Sequence, residues 1–321
     1  LEGFKDVEQI KILVFYPDNG VSQIQRLQMV TQEGSNVKVI AVDGNFDDAQ
    51  TGVKKIFNDE VFNLKLKEDN IQLSSANSIN WGRLVPQIVY YFSAYADLIK
   101  TGKLENGSKI NFVVPTGNFG NILAGYYAKM MGLPVNKLIC ASNSNNVLTD
   151  FLNTGTYDRN REFYKTTSPS MDILISSNLE RLLYTLTNAD SNKVNTWMKQ
   201  LNDNGQYKVD EEVLSSIKEN FWSDYADDFK TAETIKNVYE NHGYTLDPHT
   251  AVAWYVAEKY KEVTNDLLPT ILVSTASPYK FNENVLGALD NKIVSKLQDE
   301  FEVLDKLAEI TKVKVPVALA N

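Results

Sequence analysis

The sequence is poor in the residues that build disulfide frameworks and metal centres. Its 321 residues contain one cysteine, Cys140, and two histidines, His242 and His249. A single cysteine excludes a disulfide within the chain, and two histidines exclude a multi-histidine metal site, so no metal is expected. Cys140 lies in an apolar run, which indicates a small core residue in a reducing cytoplasm.

Long hydrophobic runs and basic patches are also missing. No apolar run approaches the roughly 20 residues that a transmembrane helix needs, so we expect no membrane span. The 32 Lys and Arg are outnumbered by 41 Asp and Glu, for a net charge of -9. Because no segment concentrates positive charge, nucleic acid and anionic membrane surfaces are not expected as partners. The sequence does not distinguish a monomer from a homodimer.

What the sequence does contain is an alternation of strand-like and helix-like segments. Short apolar runs at residues 10–16, 37–42, 110–114, 138–141 and 270–274 predict strands, and the periodic segments between them predict helices. This order is typical of parallel strands joined by crossover helices. Residues 178–242 have an almost wholly helical periodicity. The sequence therefore predicts an α/β fold with a helical insertion.

A polar connector at residues 74–80 indicates a change of domain. We expect residues 1–74 to form a smaller α/β domain. Residues 75–321 are expected to form a larger α/β domain that includes the helical insertion.

The most informative stretch is a glycine-rich loop, residues 117–121 (GNFGN), between a buried strand and a helix. Backbone N–H groups at a helix start are unpaired and lie at the positive end of the helix dipole, so they can bind phosphate without a lysine. The loop lacks the Lys-Ser/Thr ending of a nucleotide P-loop and the spacing of a dinucleotide site. Taken alone, it is equally compatible with a tight turn that carries an Asn cap.

Five motifs, in order, resemble those of threonine synthase, a pyridoxal 5'-phosphate (PLP) enzyme of the tryptophan-synthase-β-like fold (fold type II). They are residues 77–83 (NSINWGR), 117–128 (GNFGNILAGYYA), 176–181 (SSNLER), 247–251 (DPHTA) and 274–281 (STASPYKF). The resemblance implies conversion of O-phosphohomoserine and water to threonine and phosphate, in threonine biosynthesis. The 178–242 segment and the DPHTA motif favour this family over the dehydratases and cysteine synthases that share the fold.

By position, the resemblance implies roles for ten residues. It implies that the cofactor phosphate is bound by Gly117, Asn118, Phe119, Gly120 and Asn121, and that the pyridine nitrogen is bound by Thr275. It also implies that the substrate is bound by Asn77, Ser78, Asn80 and Arg181. Many family members have Asp in place of Asn121 and His in place of Ser277, so any role of that imidazole is absent here or met otherwise.

The residues alone leave other readings of these positions open. Without the resemblance, a β-branched strand residue is the favoured interpretation of Thr275. Asn77 and Asn80 fit helix caps, and Arg181 fits a surface pair with Glu180. His249 is interpreted as part of a structural helix start.

The sequence does not place the Schiff-base lysine that a PLP enzyme requires. Lys5 lies in Phe4-Lys5-Asp6, as the family's lysine does, but only a few residues before the first strand and without the family's intervening Ser/Thr-Gly-Asp-Thr-Gly loop. We interpret Lys5 as an exposed turn residue and Lys280 as a loop lysine. The family's lysine is expected upstream of Leu1, so the chain is expected to be truncated and inactive alone. The alternative function is a non-catalytic remnant that binds PLP reversibly.

Overall fold

A computed structural model describes residues 1–18, 20–44, 46–297, 299–316 and 319, with only the backbone of Phe46, Asp47 and Gln50. The chain divides into two compact units. The first contains Leu1–Ser74, Tyr239–Asp247 and Ser277–Asn321, and the second contains Ser75–Val238 and Pro248–Ala276. The sequence-based division into 1–74 and 75–321 stays a prediction. The compact units differ from it in joining residues 239–247 and 277–321 to the first segment.

The described elements alternate as an α/β chain. The strands are β1 Ile12–Pro17, β2 Val37–Val42, β3 Ile110–Pro115, β4 Val135–Ser142, β5 Thr156–Asp158, β6 Gln206–Lys208, β7 Phe221–Tyr225 and β8 Thr270–Leu272. The helices are α1 Gln23–Val30, α2 Phe46–Asn58, α3 Glu60–Glu68, α4 Trp81–Leu84, α5 Ile88–Lys100, α6 Gly120–Met130, α7 Val147–Thr154, α8 Leu179–Leu186, α9 Ser191–Asn204, α10 Glu211–Asn220, α11 Asp228–His242, α12 Pro248–Thr264, α13 Asn282–Val294 and α14 Glu300–Thr311. None of the described helices is long and apolar enough to cross a membrane.

In the first unit, β1 and β2 pair in parallel, with Ile12 opposite Val37. The helix between them, α1, has Ser22 as its N-cap. Ser22 accepts a hydrogen bond from the backbone N–H of Gln25, whose side chain bonds back to the N–H of Ser22. This reciprocal capping box fixes the start of α1.

The second unit is built on a four-stranded parallel sheet in the order β7-β4-β3-β8. Alternate residues of the central strands pack into different clusters. Phe112 and Val114 belong to a cluster with α5 and α6, whereas Val113 packs with α12 on the other side. This alternation follows from the two-residue period of a strand. Because both faces are covered by helices, β3 is buried along its whole length.

The prediction that residues 178–242 are almost wholly helical was wrong in two places. β7 lies within this segment and pairs with β4, Ser223 opposite Cys140. β6 also lies there and pairs antiparallel with β5. Strands of three and five residues are too short to show a period of their own beside the long helices α9, α10 and α11.

Candidate cofactor site

The glycine-rich loop begins at the carboxyl edge of the parallel sheet, and its last two residues, Gly120 and Asn121, are the first two residues of α6. Its centre, Phe119, has a left-handed backbone (φ 62°) that a bulky residue adopts only under constraint. The constraint is visible: the side chain of Phe119 is 1% exposed, and its ring lies 5.7 Å from that of Phe221 in β7. Burial of this ring therefore holds the loop in its strained conformation.

The carbonyl groups of the loop are bound by residues 176–178. Ser176 Oγ donates to Gly117 O at 2.9 Å, and Asn178 Nδ2 donates to Asn118 O at 2.8 Å. The backbone N–H of Asn178 also donates to Asn118 O, at 3.2 Å. In contrast, the backbone N–H groups of residues 117–122 donate no hydrogen bond to any described residue. These donors remain available to an anion at the start of α6.

Both glycines of the loop are required by close contacts. A Cβ on Gly117 would lie 3.0 Å from Ser170 O and 3.1 Å from Met171 Cα. A Cβ on Gly120 would lie 2.6 Å from both Cβ and Oγ of Ser78. Neighbouring segments therefore pack directly against the loop backbone, and a side chain at either position would displace them.

The segment behind Gly117 is itself fixed by buried polar groups. The N–H of Ser170 donates to Nε2 of His249, which is 3% exposed at the start of α12. Asp172, 4% exposed, accepts hydrogen bonds from Thr166 Oγ1 at 2.7 Å and Asn143 Nδ2 at 2.8 Å. His249 thus lies at a structural helix start, as the sequence predicts, and also positions the backbone that Gly117 contacts.

Asn121 is attached to the core by Tyr91. The Tyr91 hydroxyl lies 2.8 Å from both the backbone O and Oδ1 of Asn121, which share its one proton. Burial raises the pKa of Tyr91 far above its ordinary value, so the phenol stays protonated and remains a donor. The oxygen of Asn121 therefore faces the core, which leaves its amide Nδ2 as the side-chain donor.

Thr275 lies at the same edge of the sheet as the glycine-rich loop. β8 is the parallel neighbour of β3, and the N–H of Val273 continues the ladder by donating to Val113 O at 2.9 Å. Thr275 follows two residues later and is exposed. The carboxyl edge of a parallel sheet is where α/β proteins bind ligands, so Thr275 has the location that its predicted role requires.

The four predicted substrate residues divide into two pairs. Asn77 Oδ1 accepts from the N–H of Ile79 in the turn before α4, and Asn80 Oδ1 accepts from the N–H of Gly82 as the N-cap of α4. Ser78 and Arg181, in contrast, reach the glycine-rich loop through Asn178. Their substrate roles stay predictions.

Asn178 is the residue that the sequence analysis missed. It is fully buried and connects Asn118, Ser78 and Arg181. The signal in the sequence is its place in the SSNLER motif, immediately before α8.

Comparisons with known proteins agree with this architecture. Residues 250–317 match the family model described as threonine synthase, C-terminal. The chain is 43% identical over 293 residues to human threonine synthase-like 1, covering 91% of this chain and 39% of that protein. It is 40% identical over 301 residues to threonine synthase of Saccharomyces cerevisiae, covering 89% and 57%.

A solved structure, the PLP-bound threonine synthase of Brucella melitensis, matches with a TM-score of 0.78 at 36% identity. The match covers 97% of this chain and 68% of that one. The chain therefore spans about 40 to 60% of the length of these curated relatives and about two thirds of the solved one. Its α/β fold is the tryptophan-synthase-β-like fold of PLP enzymes, and the chain belongs to the threonine synthase family.

Proposed function

We propose that the protein to which this chain belongs is a PLP-dependent threonine synthase that converts O-phosphohomoserine and water to threonine and inorganic phosphate. The observation that carries this proposal is a row of backbone N–H groups, at residues 117–122, that donate no hydrogen bond to any residue the structure describes. The carbonyl groups of Gly117 and Asn118 are bound by Ser176 and Asn178. Such a row binds a phosphate dianion through backbone donors and the helix dipole. Family membership supplies the reaction.

The residues present fit the phosphate end of PLP. Gly117 and Gly120 have no Cβ, and the segments behind them leave no room for one. The cofactor, when bound, supplies an electron sink for the reacting carbon atoms of the substrate. Thr275, at the carboxyl edge of the same sheet, is proposed to bind the pyridine nitrogen through its hydroxyl, and a hydroxyl does not require that nitrogen to be protonated.

The chain itself is proposed to bind PLP reversibly and to lack the lysine that bonds to it. Lys5 follows a short 3-10 helix, Glu2–Phe4, and its Nζ lies 3.0 Å from Glu33 Oε2. It is half-buried rather than exposed. The hydrogen bond to Glu33 raises the pKa of Lys5, which favours the ammonium form, whereas a nucleophilic lysine needs a lowered pKa. Lys5 therefore has the setting of a structural ion pair.

The test is a titration of the purified chain with PLP and with pyridoxal, which lacks the phosphate. We expect PLP to bind more tightly, and borohydride reduction followed by intact-mass measurement to give no stoichiometric adduct. Equal affinities would refute the phosphate site. A single adduct that maps to one lysine would refute the reversible-binding part and identify the catalytic lysine.

Product analysis separates the related reactions. A protein that contains this chain and is active should release phosphate from O-phosphohomoserine. Release of ammonia from serine or threonine would instead indicate a dehydratase. PLP binding without either product would support the non-catalytic alternative.

A further inference from the structure

We propose that Asn178, held by Arg181, orients the glycine-rich loop and so sets the preference of this protein for phosphorylated over unphosphorylated ligand. The inference rests on the proposed PLP function and assigns a positioning role to two residues outside the loop. It replaces substrate binding as the main role of Arg181.

Asn178 uses its whole side-chain amide. Its Nδ2 donates one hydrogen to Asn118 O, at an N···O distance of 2.8 Å, and the other to Ser78 Oγ, at 3.0 Å. Its Oδ1 accepts a hydrogen bond from Arg181. Because the residue is fully buried, each of these bonds replaces one that water would otherwise make.

Arg181 fixes the other side of this network. Its guanidinium donates to Ser78 O at 2.9 Å and to Ile79 O at 2.6 Å. These bonds hold the turn that carries Ser78, whose side chain lies against Gly120. The guanidinium thus binds two backbone carbonyl groups and Asn178, a set of partners that suits a structural arginine.

The planar trans peptide converts this network into an orientation of the donors. In a trans peptide the C=O and the following N–H point in opposite directions. Binding of Asn118 O by Asn178 therefore directs the N–H of Phe119 away from Asn178. Binding of Gly117 O by Ser176 directs the N–H of Asn118 in the same manner. Residues 176–178 set where the donors of the loop point.

The sharpest variant is Asn178→Asp, which keeps the size of the side chain but removes both N–H donors. A carboxylate facing Asn118 O is repelled by it, so the peptide between Asn118 and Phe119 is expected to rotate. The phosphate of PLP would then lose its charge-assisted hydrogen bond from the N–H of Phe119. We therefore expect the affinity for PLP to fall by about tenfold or more. The affinity for pyridoxal should stay within about twofold.

A second variant and a matched control accompany it. Ser176→Ala removes the donor to Gly117 O without placing a charge in the interior, and it should weaken PLP binding in the same selective way. Asn195→Asp makes the identical chemical change at an exposed position of α9 and should alter neither affinity.

Hydrogen exchange of the unliganded protein gives a readout that does not depend on PLP. The N–H of Leu123 bonds to Phe119 O, and that of Asn178 bonds to Asn118 O. Both should exchange faster in Asn178→Asp and at the unchanged rate in Asn195→Asp.

The outcomes separate the two proposals. If the wild-type chain does not prefer PLP to pyridoxal, the proposed function fails. Hydrogen exchange of the Asn178→Asp variant is then the measurement that decides whether Asn178 orients the loop. If the wild type prefers PLP and both variants weaken both ligands equally, Asn178 is merely structural and this inference is refuted. Unchanged affinities with unchanged exchange would refute it as well.

Discussion

Gly125 offers a direct test of how the core supports the glycine-rich loop. It lies in α6, where an added Cβ would be 2.6 Å from Cε1 and 2.8 Å from Cζ of Tyr91, and 2.9 Å from Cδ2 of Leu138. Tyr91 is the buried donor to Asn121 at the start of the same helix. Gly125→Ala should therefore push the Tyr91 ring and break its hydrogen bonds to Asn121.

The size of the effect follows from three contributions. Overpacking of a close-packed core costs about 1–3 kcal/mol. Leaving the buried oxygens of Asn121 without their donor costs about 1–3 kcal/mol. Replacing a helical glycine by alanine stabilises the helix by about 0.5–1 kcal/mol. The free energy of unfolding should thus fall by about 3 kcal/mol, which lowers the melting temperature by about 6–12 °C for a unit of 150–250 residues.

The assay is thermal and urea unfolding followed by circular dichroism and tryptophan fluorescence. All four tryptophans belong to the second unit, so fluorescence reports the unit that contains Gly125. Gly287→Ala, in α13 of the first unit, is the control and is followed by circular dichroism. Outside the backbone of its own helix, no described atom lies within 4 Å of the added Cβ, so the variant should stabilise slightly.

A double-mutant cycle identifies the route of the effect. Tyr91→Phe removes the hydroxyl alone, so Gly125→Ala and Tyr91→Phe should be less than additive if the alanine acts through that hydroxyl. A melting temperature of Gly125→Ala equal to that of the wild type would refute the packing argument. Full additivity would show that the alanine acts elsewhere.

Three further changes test other parts of the molecule. Burial raises the pKa of the Cys140 thiol to about 12 from its ordinary 9.0, so a thiol reagent at pH 8 should label it only after unfolding. Since the thiol ionises more readily when unfolded, its contribution to stability is complete below pH 9 and falls as the pH rises towards 12; Cys140→Ala should reduce that slope in alkaline urea titrations. Asp299→Ala removes the acceptor of two N–H groups in the first turn of α14 and should cost about 1 kcal/mol of unfolding free energy, whereas no loss would show that the cap is replaced by water. Gly120→Ala should displace Ser78, lower the unfolding free energy by about 1–3 kcal/mol and weaken PLP binding; unaltered binding would separate the Ser78 contact from the phosphate site.

Much of the second unit could be predicted from local patterns. β3 and β4 lie close to where the sequence predicts them, because burial on both faces of the sheet requires nearly continuous apolar runs. The helices α6 and α12 lie in the periodic segments between predicted strands. The backbone donors of the glycine-rich loop, which no described residue binds, were predictable too, since a strand, a glycine-rich turn and a helix start are consecutive in the sequence. β7 was missed, because a strand of five residues next to a helix has no distinctive period.

The sequence by itself determined the α/β alternation, the glycine-rich loop and the family motifs. Each of these depends on neighbouring residues or on a short spacing along the chain. The support of the loop was decided by tertiary structure alone. Asn178 bonds to residues 60 and 100 positions away, Asn118 and Ser78. No local pattern encodes a pairing at that separation, because it exists only after the chain has brought these segments together around the sheet.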